Sequence, residues 1–304
     1  MSEHRSSSVL WLGVLLTLLL QAAPALANSS VLYEKASDYG TVVITDEGDN
    51  MRALRFGRNG VRQSLVKLGD PEYLGLFYIP VALTGIALSP EPRRFLIIGL
   101  GGGTLPAFLR KHYPEADIDA VDINPEVAFA AKNYLGFRED ERMRIHIVDG
   151  RKFIEAVRQP YDVIFLDAFG ADAVPAHLTT KEFLTAVRRA VRVDGVVISN
   201  IWFTATRPSY DSMVHTYQET FGELHVLRVA GTSNRILYAL PRKQPLDRAA
   251  LASLAQKLAA SKSFRFNPGP LVERGWISLD NASFGGKLLT DSNTALNAAP
   301  GTVR

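Results

Sequence analysis

The chain has no cysteine among its 304 residues. Disulfides and thiolate metal centres are therefore excluded, whatever compartment the protein works in. An excess of one charge is also missing: 34 Lys and Arg against 31 Asp and Glu leave a net charge of +3. The cations are scattered, as at Arg93, Arg94, Arg110, Lys111, Arg188 and Arg189. No basic stripe interleaved with aromatics runs through them, so no nucleic-acid partner is expected. The six histidines (His4, His112, His146, His177, His215 and His225) show no metal-ligand spacing, and no metal is expected. HExxH, GxSxG and Walker patterns are absent, which argues against zincin, serine-hydrolase and P-loop chemistry. The apolar run from Val9 to Leu20 is too short for a comfortable membrane span.

What is present is an ordinary globular composition, 47% hydrophobic and 21% charged, enough for a core without staples. Arg5, the Val9–Leu20 run and the small-residue end at Ala25-Leu26-Ala27 together have the form of a secretory signal, residues 1–27, with cleavage after Ala27. An uncleaved anchor would equally hold the domain outside. Export to the periplasm or medium is expected, or a cytoplasmic location if the signal does not function. No stable membrane span remains after processing.

Residues 28–90 read as a small β-rich unit ending in a helix over Tyr73–Leu88. From 91 to 245 the rhythm changes. Phe95-Leu-Ile-Ile-Gly99 is a continuous apolar run, the mark of a strand buried on both faces. Further strands are expected at Ile118–Ile123, Arg144–Val148, Tyr161–Asp167 and Gly195–Ile201. Helices are expected over Leu105–His112, Pro125–Tyr134, Thr179–Val191 and Ser209–Phe221. Such alternation implies a doubly wound, Rossmann-like α/β sheet of seven-stranded type. The late pair Leu224–Val229 and Ile236–Leu240 has no helix between its members and suggests one antiparallel strand at an edge. Residues 246–304 read as a helix and a tail that wraps the domain or is partly disordered.

The chemistry gathers at the carboxyl ends of these strands, where open α/β sheets bind ligands. Gly99, Gly101 and Gly103 sit between a strand and a helix and would let a ligand approach the backbone; a plain tight turn would look the same. Asp122 ends the second strand, at the offset where a carboxylate can accept both hydroxyls of a ribose. Asp149-Gly150 follows the third, where the acid can accept an adenine amino group. Asp167 ends the fourth. Asp149 and Asp167 could also be simple helix N-caps.

Four stretches carry a specific resemblance: Leu96-Ile-Ile-Gly-Leu-Gly-Gly-Gly-Thr104, Val121-Asp-Ile-Asn124, Val148-Asp-Gly-Arg-Lys-Phe153 and Tyr161-Asp-Val-Ile-Phe-Leu-Asp167. With the loop Asp167-Ala-Phe-Gly-Ala-Asp-Ala-Val-Pro-Ala-His-Leu178 they resemble the spermidine synthase (aminopropyltransferase) family, in its spermidine-synthase-like branch, over roughly residues 37–241. The resemblance implies the S-adenosylmethionine-dependent methyltransferase-type fold. It implies decarboxylated S-adenosylmethionine as co-substrate, an amine acceptor and a homodimer. It makes Asp122 and Asp149 the ribose and adenine ligands and Asp167 the base. Tyr78 (in preference to Tyr73), Asp172 and Asn200 become acceptor-side residues.

There are departures. Gly102 replaces the family's donor-gripping Asp, Gly40 its nucleoside Gln and Gly231 its late Tyr; Asp172 is displaced by about two positions. Adenosine-side residues remain and most amine-side residues do not. His177 is more simply a surface or capping residue, and Trp202 and Phe203 are expected chiefly in the core. Three readings stay open: aminopropyl transfer, methyl transfer from intact S-adenosylmethionine, and an exported non-catalytic binder of a nucleoside or amine.

Overall fold

A computed structural model describes residues 30–170, 174–203, 209–279 and 285–294. The chain opens with an antiparallel meander of four strands, β1 (Ser30–Lys35), β2 (Val42–Gly48), β3 (Met51–Phe56) and β4 (Arg62–Lys67). Val42, Val43 and Ile44 of β2 and Ala53 and Leu54 of β3 are buried. The meander leans on the main body. Lys35 and Tyr33 both reach Glu126 (2.7 and 2.5 Å), and Arg52 donates to the Tyr134 carbonyl.

The helix that follows is shorter than its apolar pattern suggests. α1 spans Tyr78–Thr84 and tightens into a 3₁₀ turn over Gly85–Leu88. Pro80 is the physical reason. Proline lacks an N–H and is tolerated only in a helix's first turn, so the helix starts just ahead of it. Upstream, the Tyr73 amide closes a turn onto the Asp70 carbonyl.

Then come β5 (Arg94–Ile98), α2 (Thr104–His112), β6 (Asp117–Asp122), α3 (Pro125–Tyr134), β7 (Met143–Ile147), α4 (Gly150–Glu155), β8 (Tyr161–Leu166), α5 (Lys181–Ala190), β9 (Val191–Trp202) and α6 (Ser209–Thr220). The chain ends with β10 (Glu223–Arg228), β11 (Asn234–Leu240), α7 (Arg248–Lys262), α8 (Gly269–Gly275), β12 (Trp276–Ile277) and α9 (Asp291–Thr294). Eight strands form one sheet in the order β12-β10-β11-β9-β8-β5-β6-β7. The five from β9 to β7 are parallel. β11 is antiparallel to both β9 and β10, so the reversed strand lies inside the sheet rather than at the edge expected from sequence. The eighth strand, the two-residue β12, comes from the stretch expected to be tail.

The apolar run of β5 now has its explanation. Phe95 and Ile97 face the core that also takes in α1, α2, α3 and α7. Leu96 and Ile98 face a second core with α5 and α6. β8 divides in the same way, Val163 and Phe165 to one side and Ile164 to the other. A strand covered on both faces has no polar side to show, which erases the period-2 signal.

Going from β5 the chain runs through β6 and β7 on one side, then crosses to β8 and β9 on the other. The crevice of a doubly wound sheet therefore opens between the ends of β5 and β8. There the backbones approach closely. The Asp167 amide donates to the Ile98 carbonyl at 2.8 Å. Gly99 has φ of +105°, and a Cβ on it would meet the Asp167 carbonyl oxygen at 2.3 Å. Gly99→Ala is therefore expected to cost about 3 kcal/mol, from overpacking and backbone strain together. A urea midpoint unchanged from the parent would remove this account of the crevice.

Candidate functional site

The crevice is a cavity of about 630 Å³, and nearly every site residue expected from sequence borders it. Gly99, Gly101, Asp122, Asp149, Gly150, Asp167, Tyr78 and Asn200 all line it. Gly103 does not: it precedes α2 with φ of 78° and packs under Phe137. Asp172 lies outside the described residues.

On the β6–β7 side, Asp122 accepts the Leu100 amide (3.1 Å) on one oxygen and the Asn124 amide (2.9 Å) on the other. Burial pushes its carboxyl up, and these amides, with those of Gly101 and Ile123, counter it. The acid is thus bolted to the glycine loop and to the cap of α3. A carboxylate is an acceptor only, which is the character that a vicinal diol requires of its partner. Asp149 caps α4, with one oxygen on the Arg151 and Lys152 amides (3.0 and 3.1 Å). The other oxygen meets His177 Nε2 at 2.8 Å. Burial works upward here too, but the Lys152 amide and His177 outweigh it and hold the carboxyl below its ordinary range. The capping reading and a ligand-facing position are therefore both true of Asp149. His177, expected as a surface residue, ties the loop after β8 to the loop after β7 and borders the cavity.

On the β8–β9 side, Asp167 is the centre of a chain of hydrogen bonds. Tyr78 Oη donates to one oxygen at 2.6 Å, and Asn200 Nδ2 to the other at 2.9 Å. Asn234 Nδ2 in turn donates to Asn200 Oδ1 at 2.8 Å. Burial raises the Asp167 carboxyl to about 6 in spite of these two donors. Burial and the neighbouring carboxylate also raise the Tyr78 phenol far above its usual value, so it stays a donor. Tyr73, the other candidate, turns away to Met51.

Sequence reasoning passed over several lining residues. Ser64, on β4, accepts the Gly102 amide at 2.7 Å, so the small front sheet closes on the glycine loop. Gln63 and Arg62 flank it, Arg62 being paired with Glu47. Gly40, aligned with the family's Gln, sits in a turn closed onto Ser37, and the glutamine that does border the cavity is Gln63. Trp202 is not core. It stacks on Phe169, with ring centroids 4.9 Å apart, and both border the cavity. Phe203 is half-exposed under Arg235. Thr232 and Asn234 border the cavity beside Gly231, where the late tyrosine was missing. No motif marks Asn234; its place follows only from β11 lying beside β9, with Asn234 opposite Trp202.

The arrangement can clamp a nucleoside at two acids and present a shielded carboxylate to a second molecule beside it. Comparison with known proteins gives this geometry a relation. Residues 81–221 match the spermine/spermidine synthase domain. A polyamine aminopropyltransferase of Vibrio vulnificus is 34% identical over 248 residues, covering 77% of this chain and 82% of that protein. The human eEF1A lysine and N-terminal methyltransferase is 31% identical over 226 residues, which cover 68% of this chain and 31% of that longer protein. Among solved structures, a probable spermidine synthase from Corynebacterium glutamicum has a TM-score of 0.64 at 18% identity, covering 91% of this chain and 95% of that one. That likeness concerns the fold. With the domain matched from α1 to the end of α6 and most of an aminopropyltransferase aligned, this chain belongs to the spermine/spermidine synthase family.

Proposed function

We propose that the chain is a transferase that binds an adenosyl-sulfonium donor across Asp122 and Asp149 and moves an aminopropyl group from it to an amine held at Asp167. The donor in this reading is decarboxylated S-adenosylmethionine. The observation that carries it is the Asp167 carboxylate, shielded, held by Tyr78 and Asn200, and titrating at about 6. A base is most useful with a pKa near the working pH. An amine arriving as ammonium gives one proton to Asp167, which frees its lone pair. The lone pair forms the new C–N bond to the propyl carbon as the C–S bond breaks. The bonding electrons go to sulfur, and methylthioadenosine leaves as a neutral thioether. The product nitrogen keeps the positive charge that sulfur gives up. No general acid is required, so one base and good positioning suffice.

A second reading is favoured by one position. At Gly102 the family's donor-gripping carboxylate is missing, which removes a repulsion against the carboxylate of intact S-adenosylmethionine. Methyl transfer to an amine would use the same clamp and the same base. We also propose that residues 1–27 direct export. A mature N-terminus at Asn28 in protein recovered from outside the cytoplasm would support this; a full-length cytoplasmic product would refute it.

Calorimetric titration with methylthioadenosine, S-adenosylmethionine and its decarboxylated form separates the donor readings by preference. Asp122→Ala is expected to abolish binding of all three. Asp167→Asn is expected to keep nucleoside affinity within about twofold and to lower turnover by at least about 100-fold. Full turnover in Asp167→Asn would show that the base lies elsewhere.

The pH dependence has two signs to check. Activity should fall as pH drops through about 6, because Asp167 must be ionised to accept a proton. Stability should move the other way. The carboxyl titrates at 3.8 when unperturbed and at about 6 here, so the folded state binds the extra proton between those values. The destabilising contribution is absent below about 4 and complete above about 6. Asp167→Asn removes it, so the stability gap between variant and parent should shift in the variant's favour across that window. A gap independent of pH would contradict the buried, raised carboxyl.

A further inference from the structure

His177 stands on a fixed mount. Pro175 sets the backbone ahead of a 3₁₀ turn over Ala176–Leu178. The Leu178 amide closes it onto the Pro175 carbonyl at 2.9 Å, and the Thr179 amide onto the Ala176 carbonyl at 3.1 Å. Leu178 is buried in the second core and anchors the turn. α4, α5 and α9 pack around it. Arg151, from α4, is held by both oxygens of Asp291 (2.8 and 2.7 Å) and reaches the His177 carbonyl at 3.5 Å. From this mount the imidazole Nε2 meets Asp149 Oδ2 at 2.8 Å.

The contact matters because of how Asp149 is held. Oδ1 takes the Arg151 and Lys152 amides at the start of α4. The terminal torsion of an aspartate is soft. Two amides on one oxygen leave the carboxylate free to rock about that oxygen, and a donor on the other oxygen fixes it. His177 is that donor, and both residues border the cavity. A carboxylate oxygen accepts more than one hydrogen bond, so Oδ2 can take His177 and an amino group of a base together. The histidine also helps to hold the carboxyl below its ordinary range, which keeps it an acceptor.

Taking the nucleoside clamp across Asp122 and Asp149 as proposed above, we infer that His177 is a positioning residue for nucleobase recognition. Through Asp149 Oδ2 it fixes the direction in which the carboxylate accepts the 6-amino group of the base. The base is thereby read by two loops, the one after β7 that carries Asp149 and the one after β8 that carries His177. The loop that begins at Asp167 thus serves both ends of the cavity.

Binding reports this whether or not turnover is seen. The whole chain is titrated calorimetrically with methylthioadenosine and with the same nucleoside carrying hydrogen in place of the 6-amino group. The parent is expected to prefer the amino form at least about tenfold, the range of a hydrogen bond to a charged group. His177→Leu should weaken methylthioadenosine about fivefold and leave the hydrogen analogue within about twofold, because without an amino group the set of the carboxylate no longer matters. His177→Gln, which can place an N–H near the position of Nε2, should restore most of the loss. If the leucine variant fails to fold, His177→Ala carries the same expectation. Equal weakening of both nucleosides, no change in either, or no recovery with glutamine would each overturn the inference. A parent chain that binds neither nucleoside would overturn the clamp, and the inference with it. Failure of the transfer reading looks different: the selectivity pattern holds, yet no methylthioadenosine is released from the decarboxylated donor.

Discussion

The Asp167 carboxylate is out of water and is held by residues from three distant parts of the chain. Tyr78 comes from the start of α1, Asn200 from β9, and Asn234 supports Asn200 from β11. A buried carboxylate without such donors would protonate and lose its use as a base. The fold therefore has to deliver the donors together. Pro80 fixes where α1 begins, and so places Tyr78 at its first turn over the cavity. The reversed strand β11, inserted beside β9, brings Asn234 opposite Trp202. The close passage of Gly99 under Asp167 sets the acid's height above the sheet. A displacement in any of these elements would be felt at the same carboxylate.

The side of the cavity at β6 and β7 is built on a different principle. Asp122 is held by backbone amides, and Asp149 by backbone amides on one oxygen with His177 on the other. Backbone donors arise wherever a strand ends and a helix begins, so these acids need only the right position at the strand ends. This accounts for their visibility in sequence. Gly99, Asp122 and Asp149 each stand within two residues of the carboxyl end of a strand. Asp167 is visible for the same reason, at the end of a fourth run.

The partners of Asp167 were harder to read, because they depend on strand order rather than local pattern. Tyr78 could be chosen over Tyr73 only by counting back from Gly99. Asn200 stood out only by alignment with the family. Asn234 and Ser64 carry no local signal, since each owes its place to a neighbouring strand or a facing sheet. Trp202 was misjudged because an aromatic after a buried strand is usually core. Here the strand runs past the core's edge, and the ring finds Phe169 from the loop after β8 instead. The reversed strand was expected from the missing helix, but its interior position was not, because periodicity does not report which neighbour a strand chooses.

Gly102 shows how a missing residue can be structural as well as chemical. In this chain its amide is taken by Ser64, and a Cβ there would already be 3.0 Å from Ser64 Cβ and Val66 Cγ1 and 3.3 Å from Leu135. A side chain at this position would require these neighbours to give by a few tenths of an ångström. Beside the glycine loop the cavity is lined instead by Ser64 and Gln63, with Arg62 close by.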